Sequence, residues 1–213
     1  MSRRKSEGDG SPQIGIAFEQ AAHGEGFRYI AGLDEVGRGA LAGPVVAAAV
    51  ILDLSLPLPE KLNDSKKLSA ARRELIATEL RKRAICHAVG VVEAAEIDRI
   101  NILQATKRAM RLALENLSTP PDFLLIDALE LREVNLPQRA IIGGDAISAS
   151  IAAASIIAKT FRDKLMRDYD ETYPVYGFAR HVGYGTRVHF EAIHTHGACP
   201  LHRRSFRGVV PTS

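Results

Sequence analysis

Tyr29-Ile-Ala-Gly-Leu-Asp-Glu-Val-Gly-Arg-Gly-Ala-Leu-Ala-Gly-Pro-Val-Val-Ala-Ala-Ala-Val-Ile-Leu52 holds two apolar runs on either side of a glycine-rich turn. Residues 29–34 read as a strand and 37–43 as the turn. Residues 44–52, rich in Val and Ala, read as a second strand paired antiparallel with the first. Asp34 and Glu35 therefore stand where the first strand ends. Downstream, Ser69 caps a helix to about residue 83, with Leu75, Ile76 and Leu80 on one face. A third strand covers 86–92. A second helix covers 101–117, with Ile102, Ala105, Ala109, Leu112 and Ala113 as its apolar stripe. Residues 123–126 form a short apolar strand buried on both faces, and 140–142 another, ending at Gly143-Gly144-Asp145. The stretch 148–168 is helical and so rich in Ala that it must pack closely on the sheet. Thr186 caps a last helix to 196, closed by Gly197. Strands alternating with helices give an α/β sandwich whose sheet is mixed because of the early hairpin.

The chain has 213 residues, 46% of them hydrophobic and 25% charged. That suffices for one domain with its own core and excludes collagen, mucin-like stalks and wholesale disorder. Residues 1–27, rich in Gly, Ser and charge, read as a disordered tail ahead of a single domain over 28–213. Cys86 and Cys199 lie far apart, indicating neither a zinc site nor a disulfide framework, and suit the reducing cytoplasm. No apolar stretch follows the basic first residues as a secretory signal requires. The run 40–54 is too short, and too interrupted by Gly43, Pro44 and Asp53, to span a bilayer. No membrane partner is expected, and without a heptad pattern the chain reads as a monomer. The formal net charge is only +3, yet residues 176–213 carry five Arg, no Lys and one Glu. This basic segment is able to approach phosphates.

Four carboxylates fall at strand ends: Asp34 and Glu35 after the first strand, Asp127 after Phe123-Leu-Leu-Ile126, and Asp145 after Gly143-Gly144. In an open α/β sheet functional groups gather beyond the carboxyl ends of strands, and neighbouring strands lie about 5 Å apart. Grouped carboxylates repel unless a cation sits among them, and such hard oxygen ligands suit magnesium or manganese. The chemistry this serves best is metal-assisted phosphoryl transfer. Any one of these acids alone is accounted for as a turn cap, and their placement does not by itself specify a reaction.

Other groups suit a polynucleotide. The turn Gly37-Arg38-Gly39 lets backbone N–H groups approach a phosphate or ribose, or is an ordinary hairpin turn. Lys66 and Lys67 meet a phosphate backbone or form a solvated basic loop. Arg180, His181 and Tyr184 lie in a glycine-punctuated loop where Tyr184 can stack on a sugar or base. Five of the seven histidines follow Lys159 and read as surface residues near a basic face, with His181 the exception to watch.

In this order and spacing, the segments resemble ribonuclease HII, the type 2 ribonuclease H family of bacteria. The resemblance rests on Gly32-Leu-Asp-Glu-Val-Gly-Arg-Gly39, Asn63-Asp-Ser-Lys-Lys-Leu68, Leu125-Ile-Asp-Ala128, Gly144-Asp145, Ile151-Ala-Ala-Ala-Ser-Ile-Ile-Ala-Lys159 with Arg162-Asp163, Gly183-Tyr-Gly-Thr186 and His202-Arg-Arg-Ser-Phe206. It implies a ribonuclease H-like mixed sheet flanked by helices, with a C-terminal helical portion. It also implies endonucleolytic cutting of RNA in RNA–DNA hybrids, and 5′ of single ribonucleotides in duplex DNA, leaving 3′-hydroxyl and 5′-phosphate ends. The family's metal-binding, catalytic acids map onto Asp34, Glu35, Asp127 and Asp145, binding one or two Mg²⁺ or Mn²⁺ ions. Its junction-sensing loop maps onto Gly37, Arg38 and Gly39, and its sugar-contacting tyrosine onto Tyr184. Val36 stands where the family often has Ala, and Gly143 where a Lys commonly precedes the Gly-Asp. Rival readings are a junction resolvase-like nuclease on the same fold, which needs branched DNA, and a non-catalytic hybrid-binding module.

Overall fold

The computed structural model describes residues 14–60, 62, 65 and 68–210. In chain order the elements are α1 (Ala17–Gly24), β1 (Ile30–Val36), β2 (Val45–Leu52), α2 (Ala70–Arg83), β3 (Ala84–Val92), α3 (Ala94–Ile100), α4 (Ile102–Glu115), β4 (Phe123–Asp127), β5 (Gln138–Ile141), α5 (Ala149–Thr172), α6 (Phe178–His181) and α7 (Arg187–His196). The five strands form one sheet in the order β3-β2-β1-β4-β5. β1 pairs antiparallel with β2 and parallel with β4, so the expected hairpin is present and the sheet is mixed.

The continuous apolar character of β2 has a direct cause: all eight of its residues are buried, because helices cover both faces. Alternate residues divide between two cores. Val45, Ala47, Ala49 and Ile51 pack with Ala105, Ala109 and Met110 of α4. Val46, Ala48 and Val50 pack with Ile76 and Leu80 of α2 and with Ala153 and Ile157 of α5. This is the two-residue period of a strand.

Local chemistry sets the helix starts. Ser69 accepts from Arg72 N, Ser148 from Ile151 N and Thr186 from His189 N. Asn101, at a φ of 67°, accepts from Leu103 N and Gln104 N at the start of α4. The Ala-rich face of α5 meets β1 at Gly32, where a Cβ would lie 2.1 Å from the Ser150 carbonyl carbon. Only glycine permits that approach. Among the described residues no helix is long and apolar enough to cross a membrane.

The loose tail expected over residues 1–27 is corrected for its second half; residues 1–13 lie outside the described residues. α1 packs Ala22, Phe18 and the following Phe27 against Ile30, Phe123 and Ile151. Its Glu19 is 1% exposed and accepts from Ser148 Oγ at 2.7 Å, Ser150 N at 2.9 Å and Ser150 Oγ at 2.6 Å. A carboxylate at the N-terminus of α5 is favoured by the helix dipole. The segment is too short to show its period, and its anchor is supplied from more than a hundred residues away. The α3 helix, likewise unanticipated, is a seven-residue piece between β3 and α4.

Replacing Glu19 by Ala leaves two buried serine hydroxyls without their acceptor. We expect E19A to lower unfolding stability by about 2 kcal/mol, measured by urea denaturation; an unchanged midpoint would refute the anchoring role.

Candidate functional site

β1 and β4 run parallel with Leu33 opposite Ile126, so Asp34 and Asp127 leave neighbouring strands side by side at their carboxyl ends. Asp145 lies in the 3-10 turn 144–146 that follows β5. That turn is tied to Asp127 because Gly144 N donates to Asp127 Oδ1 at 2.8 Å. Ala128, directly after Asp127, takes a φ of 52°, a left-handed conformation uncommon for a residue with a side chain.

Asp34 is 5% exposed. Burial drives its carboxyl well above the usual range, and the Glu35 and Asp127 carboxylates push the same way. The Ser155 hydroxyl and the Glu35 N–H, at 2.7 Å, pull it back toward the anion. Ser155 Oγ also lies 2.8 Å from Ser65 Oγ, a hydrogen bond between two buried hydroxyls. Glu35 is also raised by burial. Arg38, at 3.2 Å from Glu35 Oε1, opposes that rise, while Asp127 adds to it. Glu35 Oε2 is buried with no hydrogen-bond partner among the described residues.

Asp34, Glu35 and Asp127 are thus close enough to oppose one another's ionisation, and Asp145 sits on the adjoining turn. Among the described residues, no three His, Cys, Asp or Glu side chains make a ready-formed metal cage. The donor set is nevertheless one that a hard divalent cation fits, since it would relieve the mutual repulsion and take up the orphaned Glu35 oxygen.

The Gly37–Gly39 turn and Tyr184 come together through an isolated bridge between Ala40 and Tyr184. Leu41 N donates to Gly183 O at 2.8 Å. Beneath them lie two guanidiniums, Arg162 and Arg203, each 0% exposed. Arg162 donates to Pro44 O at 2.9 Å, Val182 O at 2.8 Å and Ala42 O at 3.1 Å, and its carbon lies 5.7 Å from the Tyr184 ring centroid. Gly37, at a φ of 89°, leaves room for Arg162, whose Nε would stand 2.3 Å from any Cβ there. Burial, followed by the neighbouring Arg162, pushes Arg203 down to about 9.

The basic C-terminal segment is therefore not wholly available to phosphates, because Arg203 is internal. Lys66 and Lys67 lie outside the described residues. Arg180 is exposed on α6. His181 does not turn toward the acids: it donates from Nε2 to Tyr176 O and accepts at Nδ1 from Gly183 N.

The surface reading fails for two histidines: His189 and His202 are 0% and 2% exposed. Their protonation follows from their partners. His202 Nδ1 accepts from Cys199 N, so His202 Nε2 carries the proton. It donates that proton to His189 Nε2 at 3.0 Å, and His189 Nδ1 donates to Tyr184 O at 2.9 Å. Both rings must be neutral for this chain to exist. Burial lowers both pKa values, that of His202 to about 4.

Ser65, Ser155, Arg162 and Arg203 were not singled out from sequence as site residues. One local signal existed for Arg162: it continues the buried i, i+4 series Ala154–Ala158–Arg162–Met166, where a charge must be caged.

Stability should respond to the histidine pair. An unfolded His takes its proton near pH 6.5, whereas folded His202 resists until about pH 4. The unfolded state binds more protons across that window, so stability falls as pH is lowered through it. Thermal unfolding between pH 8 and pH 4 should show this, and a His202→Asn variant should lose part of the slope. An undiminished slope in that variant would count against the pair.

A sequence profile of the Ribonuclease HII family matches residues 31–209. Ribonuclease HII of Desulfitobacterium hafniense is 58% identical over 184 residues, covering 86% of this chain and 70% of the relative. That of Acetivibrio thermocellus is 54% identical over 189 residues, covering 89% of this chain and 73% of the relative. The crystal structure of ribonuclease H2 from Pyrococcus horikoshii OT3 superposes with a TM-score of 0.72 at 25% identity, covering 85% of this chain and 95% of the other. RNase HII of Archaeoglobus fulgidus, solved in a complex with PCNA, gives a TM-score of 0.71 at 27% identity, with 85% and 95% covered. Identity this high over nearly all of the chain, on a sheet of the same architecture, leaves one conclusion: the chain belongs to the ribonuclease HII family and is a ribonuclease H.

Proposed function

We propose that this ribonuclease H cuts the RNA strand of RNA–DNA hybrids. On the same reading it cuts 5′ of single ribonucleotides in duplex DNA, leaving 3′-hydroxyl and 5′-phosphate ends. The carrying observation is the group Asp34, Glu35 and Asp127, whose carboxylates oppose one another's ionisation beside a buried Glu35 oxygen that has no hydrogen-bond partner among the described residues. Asp34, Glu35, Asp127 and Asp145 are the residues that would hold one or two Mg²⁺ or Mn²⁺ ions. When bound, such an ion polarises the phosphate and lowers the pKa of an attacking water.

The chain's own residues do the rest. Ser155 and the Glu35 N–H favour the anionic form of Asp34, and Arg38 does so for Glu35. No Ser or Cys nucleophile is required. The Gly37–Gly39 backbone meets the ribose 2′-hydroxyl, the group that distinguishes RNA from DNA. Tyr184, whose ring passes 3.9 Å from the position of a Gly39 Cβ, stacks on the neighbouring deoxyribose. Arg180, with Lys66 and Lys67, adds phosphate contacts. On this reading the enzyme is a cytoplasmic monomer acting on nucleic acid.

Asp34→Asn and Asp127→Asn should each lower turnover on a duplex with one ribonucleotide by more than about a hundredfold, with the thermal transition retained. Turnover near the unsubstituted rate in a folded variant would remove that residue from the site. An all-DNA duplex cut as readily as the ribonucleotide duplex would sink the 2′-hydroxyl reading.

Ser155→Ala should raise the Mn²⁺ concentration for half-maximal cleavage by about 10- to 100-fold, and Ser155→Thr, which keeps the hydroxyl, should restore most of it. An unaltered metal requirement in S155A would show that the Ser155–Asp34 bond does not tune the acids.

A further inference from the structure

Arg203 is fully buried, and among the described residues it has no carboxylate at ion-pair distance. Its Nη2 donates to Gly37 O at 2.7 Å, its Nη1 to Arg38 O at 2.9 Å and its Nε to Gly43 O at 3.0 Å. A buried cation with only neutral acceptors is costly unless it meets all of them well. The guanidinium does so because its fork matches carbonyls on both sides of one turn.

The consequence lies on the other side of those peptides. A trans peptide bond is planar, with its C=O and N–H pointing in opposite directions, and the described chain has no cis bonds. The Gly37 carbonyl belongs to the same peptide plane as the Arg38 N–H, and the Arg38 carbonyl to the same plane as the Gly39 N–H. With both carbonyls drawn inward onto Arg203, both N–H groups are turned away from the guanidinium. The turn is closed by Ala40 N donating to Gly37 O at 3.3 Å, so the pair cannot rotate independently. Arg162 holds the neighbouring carbonyls of Ala42 and Pro44, and Arg203 alone of the two grips Gly37 and Arg38.

We propose that Arg203 is a positioning residue for ribose recognition: by binding the carbonyls of Gly37 and Arg38 it aims the Arg38 and Gly39 N–H groups at the 2′-hydroxyl. This rests on the reading of Gly37–Gly39 as the ribose-sensing loop. Arg203 itself touches no substrate and acts only through the two peptide planes. A lysine in its place keeps the charge but, as a point donor, cannot span three carbonyls.

The test is discrimination rather than activity. Affinities for a duplex carrying one ribonucleotide and for the identical all-DNA duplex are measured by fluorescence anisotropy with Ca²⁺ as the divalent ion, for the unsubstituted protein, R203K and R203Q. We expect the unsubstituted protein to prefer the ribonucleotide duplex. The two variants should lose at least fivefold of that preference, with all-DNA affinity little changed and R203Q losing more. A merely structural role would weaken both affinities together or lower the melting temperature with the ratio intact, and either result in a folded variant would overturn the proposal. If the unsubstituted protein shows no preference, the underlying reading of the loop fails instead. A readout needing no variant is the NMR spectrum of the unsubstituted protein. The Arg38 and Gly39 amides and the Arg203 guanidinium should shift together with the ribonucleotide duplex and not with the all-DNA duplex. Amide shifts without a guanidinium shift would also overturn it.

Discussion

The backbone of α5 lies so close to β1 that any side chain at Gly32 would collide with the Ser150 carbonyl carbon at 2.1 Å. This approach fixes the height of a 24-residue helix over the sheet, and the rest of the molecule is referenced to it. At its start, Ser148 and Ser150 meet Glu19 and bind α1. One turn on, Ser155 reaches Asp34 and Ser65. Further along, Arg162 reaches the carbonyls of Ala42 and Pro44 and sits under Tyr184. One helix thus carries the anchor of the N-terminal element, a hydrogen-bond donor for an acid, and a support for the loop that bears Tyr184. Small residues on its inner face are what allow all three at once.

Charge is organised by burial as much as by number. The carboxylates at the ends of β1 and β4 are crowded, largely shielded from water and mutually repulsive, which suits them to a cation. A short distance away two guanidiniums are buried with carbonyl oxygens as their hydrogen-bond acceptors. The modest total of +3 conceals both arrangements. The five Arg of residues 176–213 had suggested a basic surface, but Arg203 is spent inside, orienting backbone. The histidines repeat the lesson, because His189 and His202 form a neutral relay from Cys199 to the Tyr184 carbonyl. Basic composition in this segment is therefore partly architecture.

Much of the fold was legible in the chain. β2 was readable because a run of eight apolar residues without helical spacing has little choice but a buried strand. The helices after Ser69 and Thr186 were readable because capping is local, and those over 101–117 and 148–168 because their apolar patterns show on the sequence itself. The acids were readable because strand ends place them. Missed were α1, whose short apolar pattern makes sense only against Ile30, Phe123 and Ile151, and the buried roles of Arg162, Arg203, His189 and His202. Nothing within a few residues of Arg203 says that three carbonyls from residues 37–43 will surround it.

By itself, the sequence determined the order of the five strands and of α2, α4, α5 and α7, the four carboxylates at or just beyond strand ends, the glycine-rich turn and the family. These follow from patterns read over fewer than about twenty residues, or from motifs in series. Only the tertiary structure decided which charges are buried, which way each imidazole carries its proton, and which face the Gly37–Gly39 peptides present. Those depend on desolvation and on hydrogen-bond partners brought from as far as 166 residues away, and a partner at that distance exists only once the chain has folded.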